Sequence, residues 1–174
     1  MRTVLVSPDL RTSAALAVAA DGRIDPGNLV EQAEGLIGPG SGESTTKQVI
    51  KLMGEASLRL VVIDPYVSEE TVRLMAWSKP GAKLVLVSKK FSEATLQEAA
   101  HLVMAGRDLA LYKSDAIHDR WFSVDGRWWH SGGSLKDLGR KWTRISEIDQ
   151  PEEIDQTEQL LGSLTIPANA QALA

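Results

Sequence analysis

The sequence predicts an α/β fold, a mixed and largely parallel β-sheet flanked by helices. Two observations carry this. Between Ser44 and Asp108, apolar runs of strand length alternate with stretches whose apolar residues recur at helical spacing, and such alternation implies parallel crossovers. After Asp108 the alternation stops, and two strand-like runs meet across Asp125-Gly126-Arg127 in the pattern of an antiparallel hairpin. With 174 residues, 43% hydrophobic and 24% charged, the chain suits one globular domain with a proper core and is too short for two catalytic domains of usual size.

Residues 1–43 are an N-terminal segment and linker with no assigned fold. Thr3 to Ser7 reads as a strand, Thr12 to Ala20 as a short apolar helix and Leu29 to Ile37 as another, before Gly38-Pro39-Gly40-Ser41-Gly42 punctuates the chain. The domain proper is expected over 44–165. Ser44 can cap a helix whose Val49, Leu52, Met53 and Ala56 fall on one face. Leu58 to Ile63, interrupted only by Arg59, reads as a strand buried on both faces and stopped by Asp64-Pro65. Ser68, with Glu69 and Glu70 in the first turn, opens a helix that should end near Lys79-Pro80-Gly81. Lys83 to Ser88 is a second buried strand, and Ser92 opens a helix carrying Leu96, Ala99, Ala100 and Val103.

Leu109 to Lys113 then reads as a strand, and Ile117 to Val124 with Trp128 to Ser131 as a hairpin. Leu135 to Lys141 should be a helical turn, Trp142 to Ile145 a last strand, and Pro151 to Leu161 a final acidic helix with Pro and Glu where a helix start favours them. Residues 166–174 read as a frayed C-terminal tail.

A formal charge of −4 argues against a generic nucleic-acid coat, but its distribution is uneven. Ala116 to Arg144 holds six basic residues against three acidic ones, whereas Ile145 to Ala174 holds six acids and no base. A locally positive region inside a negative protein is what a focused anion site requires, although hairpin and helix faces in water can carry the same runs. The chain has no cysteine, which excludes disulfides and thiolate metal sites. No segment approaches the length of a membrane span. The apolar stretch Ala14 to Ala20 follows Pro8, Asp9 and Arg11 too closely to form a signal peptide, so a cytoplasmic location is expected.

The densest chemical signal is His118-Asp119-Arg120, with Asp125 five residues further on and Gly132-Gly133-Ser134 beyond. On a strand, side chains at i and i+2 leave one face. His118 and Arg120 would then stand side by side, an imidazole able to attack or protonate beside a guanidinium able to hold two phosphate oxygens.

That segment resembles the phospholipase D superfamily, whose signature is His-x-Lys-x4-Asp followed by a Gly-Ser or Gly-Gly turn and an Asn. The wording Ile117-His118-Asp119-Arg120 and Gly132 to Gly139 is similar to a bacterial branch of small phospholipase D-like domains. The resemblance runs from about Leu58 to about Ile148 and includes the strand end Val61-Val62-Ile63-Asp64-Pro65-Tyr66. It implies a mixed sheet between helix layers and a phosphodiesterase, most simply a metal-independent nuclease working through a phosphohistidine, with no cofactor. His118 matches the nucleophile, Arg120 the phosphate-binding lysine, Asp125 the signature aspartate, and Gly133-Ser134 the Gly-Ser step. Lys136 stands where the family has asparagine. That departure favours the alternative, a catalytically degenerate module that binds nucleic acid or another anionic ligand.

One motif per chain lacks the second histidine that protonates the leaving oxygen. A homodimer would supply it as a second His118. His130 is the in-chain alternative, provided that the hairpin turn uses three residues and places His118, Arg120 and Phe122 on one face with His130, Gly132 and Ser134; a two-residue turn sends His130 to the other face. Asp64, at the end of a parallel strand where open α/β sheets bind ligands, could orient an imidazole or cap a turn. Asp125 is expected to work structurally, since a turn aspartate caps its own backbone. Lys136 is an extra phosphate ligand or a solvent-facing lysine. Trp121, Trp128, Trp129 and Trp142 are expected to pack the hairpin, with base stacking as the other reading.

Overall fold

The computed structural model describes residues 35–37, 42–138, 140–141 and 143–165. The expected elements at Thr3 to Ser7 and Thr12 to Ala20, the tail 166–174 and Trp142 lie outside the described residues. The elements in chain order are β1 (Gly35–Ile37), α1 (Gly42–Glu55), β2 (Arg59–Ile63), α2 (Glu69–Met75), β3 (Lys83–Ser88), α3 (Glu93–Met104), β4 (Leu109–Lys113), β5 (Trp121–Val124), β6 (Arg127–Ser131), a 3-10 turn (Leu135–Asp137), β7 (Thr143–Ile148) and α4 (Pro151–Leu164).

The strands described form one mixed sheet in the order β1-β7-β6-β5-β2-β3-β4. β2, β3 and β4 are parallel, as the strand–helix alternation requires. β5 then joins β2 antiparallel and hands the sheet over to the β5–β6–β7 meander. Both faces are covered. Alternation along β2 sends Leu60 and Val62 into one core, beneath residues of α1, α2 and α3, while Val61 and Ile63 join the other with Leu161 and Leu164 of α4. Each such fully buried aliphatic side chain stabilises the fold by roughly 1.5–3 kcal/mol relative to exposure.

The capping signals act as expected at α3, where Ser92 Oγ accepts from Thr95 N at 3.1 Å. α2 stops at Met75, short of Lys79. Just beyond its end, the buried guanidinium of Arg107 donates to the carbonyl of the C-cap Ala76 at 3.1 Å and to Lys79 O at 3.0 Å. That tertiary clamp holds the turn that follows the helix.

Four readings change. Gly35–Ile37, expected at the end of a helix, forms β1 because it satisfies the outer edge of β7, pairing Leu36 with Arg144. The hairpin turn uses two residues, with Val124 opposite Arg127 and Phe122 opposite Trp129. Asp125 and Gly126 both take positive φ, 51° and 94°, the left-handed pair that an Asp-Gly hairpin turn favours. β5 starts at Trp121 and not at Ile117: Ile63 is its last partner on β2, and Pro65 lies just beyond the strand end, so residues 117–119 have no ladder to join. β7 extends to Ile148, three residues past the expected end, because β6 continues alongside it to Trp128.

Candidate anion-binding cleft

Asp64 follows the last residue of β2 and is fully buried. A carboxylate taken out of water must be hydrogen-bonded, and every partner here belongs to the site. Its Oδ1 accepts from Tyr66 N at 2.8 Å, and its Oδ2 from Ser134 Oγ at 2.6 Å and Leu135 N at 3.2 Å. Ser134 Oγ also lies 3.1 Å from Tyr66 O. The end of β2 and the Gly-Gly-Ser turn after β6 are thereby locked together across 70 residues of sequence.

Arg120 enters this lock from the start of β5. Its Nε lies 3.9 Å from Asp64 Oδ1, an ion-pair distance too long for a hydrogen bond. That Nε is buried without a hydrogen-bond partner, and the guanidinium carbon sits 5.6 Å from the Tyr66 ring centre. The cation is therefore held by field and stacking, with its directional donors uncommitted.

Around it opens a cleft of about 410 Å³ lined by Tyr66, Arg120, Gly132, Gly133, Ser134, Lys136, Asp137, Lys141 and Thr143. Gly133 is required by space: a Cβ there would meet Thr143 Oγ1 at 2.5 Å. The backbone of the turn is held by Ser131 Oγ donating to Gly133 O at 2.7 Å and Gly132 N donating to Arg144 O at 2.8 Å. On the far wall Asp137 accepts from Lys136 Nζ at 3.1 Å and from Lys141 Nζ at 3.0 Å. Burial alone would raise the Asp137 pKa, but the two ammonium groups outweigh it and hold it below the usual carboxylate value.

The structure thus brings together Arg120, Gly133, Ser134, Lys136 and Asp64 of the expected set. Three others stand apart. His118 is exposed in the loop between β4 and β5, does not line the cleft and makes no hydrogen bond or ion pair within the described residues; with no strand at Ile117 to Asp119, strand parity does not pair it with Arg120. His130 lies opposite Trp121, ring to ring at 6.1 Å, on the face away from Phe122 and Trp129, because the two-residue turn reverses the expected register. Asp125 is at the other end of β5. There its carboxylate accepts from the backbone N–H groups of Ser57, Leu58 and Arg59 and from the Ser57 hydroxyl. Burial raises its pKa, but those donors prevail and lower it to about 2, so its role is to fasten the turn to the start of β2.

Tyr66, Lys141, Asp137 and Thr143 were missed as cleft residues. The one usable signal was the Asp137-x3-Lys141 spacing, which places a carboxylate and an amine within reach on a helical turn. Trp128 and Trp129 are fully buried, Trp129 stacked on Phe122 at 5.2 Å, as packing residues would be. Among the described residues no three His, Asp or Glu side chains gather to hold a metal, and no helix is long and apolar enough to cross a membrane.

No family model matches the chain, and no curated protein does. Solved structures do share its fold. TrmBL2, an archaeal chromatin protein with a novel mode of DNA binding, superposes with a TM-score of 0.53 at 12% identity over 95% of this chain and 61% of its own. The phosphatidylserine synthase of Haemophilus influenzae Rd KW20 gives a TM-score of 0.54 at 17% identity over 81% of this chain and 38% of its own. The chain therefore spans less than two thirds of either neighbour. At these identities the likeness shows the fold alone, a mixed α/β domain.

Proposed function

We propose that this cleft binds a phosphodiester of nucleic acid, with Arg120 as the clamp. The observation that carries the reading is the guanidinium itself: charged, lacking a hydrogen bond, oriented by a buried Asp64 and facing a glycine turn and two lysines. Arg120 would grip two phosphate oxygens, and Gly133 lets the backbone approach closely. Lys136, in place of an amide, adds charge without adding a neutral donor. The phospholipase D-like segment supports a phosphodiester, and the fold shared with a DNA-binding chromatin protein supports nucleic acid as its source.

Binding of a labelled oligonucleotide, followed by fluorescence anisotropy at fixed salt, tests this. Arg120→Ala should weaken binding by roughly 1.5–3 kcal/mol, the range for hydrogen bonds to a charged group, and Arg120→Lys should recover part of it. Equal affinity in wild type and Arg120→Ala would refute the clamp.

A second reading, turnover, rests on the phospholipase D-like motif, in which the exposed His118 matches the nucleophile; it requires His118, which does not line the cleft, to reach the phosphate held by Arg120. In it His118 attacks phosphorus, the leaving oxygen takes its proton from the partner subunit's His118, and water then cleaves the phosphohistidine. His130 is removed as the acid by its place on the other face.

A further inference from the structure

We infer that Tyr66 is a stacking platform for a base next to the bound phosphate, so that the ligand of the cleft is single-stranded nucleic acid. This rests on the phosphate-clamp reading and narrows it. Tyr66 is 50% exposed although it immediately follows a buried Asp64-Pro65 pair. Its backbone is fixed on both sides, the N–H by Asp64 Oδ1 at 2.8 Å and the carbonyl by Ser134 Oγ at 3.1 Å. The ring is thus carried by a backbone that Asp64 and Ser134 hold at the junction of β2 with the Gly-Gly-Ser turn, and it lines the cleft beside Arg120.

The Arg120 guanidinium lies over the ring at 5.6 Å from its centre, and the residue stays half-exposed beside a cleft that carries Arg120, Lys136 and Lys141. In extended single strands an unstacked base lies next to every phosphate, and an aromatic face beside a phosphate ligand takes it regardless of sequence. A duplex keeps its bases stacked on one another inside the helix and offers no free base face to the ring. A free phosphate or a lipid headgroup offers no planar partner. Trp128 and Trp129 cannot play this part because both are fully buried.

Anisotropy with labelled oligothymidylate, an abasic strand of equal length and a duplex separates the alternatives. Wild type should bind oligothymidylate roughly five- to a hundredfold more tightly than the abasic strand, the fold-change that base–aromatic stacking produces. Tyr66→Ala should abolish the preference, so that oligothymidylate binds this variant no more tightly than the abasic strand does, any loss common to both strands being that of the Arg120–Tyr66 contact; Tyr66→Phe should keep the preference. Equal affinities in wild type, a preference for duplex or for anionic-lipid vesicles, or an equal loss on both strands in Tyr66→Ala would each overturn the inference. If Arg120→Ala weakens both strands while Tyr66→Ala changes neither, the stacking role fails and the clamp stands. If Arg120→Ala changes neither, the clamp itself fails.

Discussion

Asp64 and Asp125 sit at opposite ends of the central strands and hold the fold by different means. Asp64 is buried and binds the cleft turn; Asp125 is exposed and binds a run of backbone N–H groups. The second arrangement has a defined pH signature. The folded pKa of Asp125, about 2, lies below its ordinary 3.8, so its contribution is fully present above the unfolded value and disappears as pH falls through the folded one. Asp125→Asn keeps the side-chain shape and tolerates the left-handed φ. It should cost about 1–2 kcal/mol near neutrality, allowing for solvent screening at an exposed site. Denaturant titrations of both proteins should show a constant gap above about pH 5 that closes towards pH 2; a gap that persists undiminished in acid would mean that the charge is not what holds the turn.

At the scale of elements, the turn after β6 is set by one close approach. A Cβ on Gly133 would meet three atoms of Thr143, the nearest at 2.5 Å, whereas at Gly132 the nearest contact is an ordinary 3.5 Å. Thr143 is buried and β-branched, with little room to move. Gly133→Ala should therefore destabilise by roughly 1–3 kcal/mol and Gly132→Ala by much less. Adding Thr143→Ala should recover part of the Gly133→Ala loss, so additive effects in a double-mutant cycle would contradict the contact. This turn also shows how much was legible in the sequence. Gly133, Ser134, Arg120 and Asp64 could be read, since each is a residue type demanded by local chemistry at a strand end. The register that moves His130 away is encoded in Asp-Gly itself, which favours a two-residue turn with both residues at positive φ. Tyr66 and Thr143 were hidden for a different reason: they reach the cleft through contacts made only after β2, β5 and β7 are assembled, and no periodicity encodes such contacts.

Across the whole molecule, the basic run that looked uniform in sequence divides in two. Arg127 is taken up by Glu147, and upstream Arg59 pairs with Glu158 of α4. Arg120, Lys136 and Lys141 gather at the cleft. Two acids of the C-terminal segment thus pair with two cations of the sheet, while at the cleft three cations face Asp64 and Asp137 and leave a net positive charge there. Within that cleft there is no histidine, so hydrolysis would need two chains, each offering its exposed His118 to a shared phosphate. The absence of cysteine makes this directly testable, because a single Asp119→Cys beside His118 would be the only thiol. A composite site requires that the protein scatter light as a dimer, that a short bismaleimide join Asp119→Cys chains efficiently at low concentration, and that His118→Asn abolish release of nitrophenol from bis-p-nitrophenyl phosphate in EDTA while keeping oligonucleotide affinity. A monomer, or a dimer whose two thiols lie beyond the linker's reach, would remove the phosphohistidine reading and leave the clamp at Arg120 as a binding site.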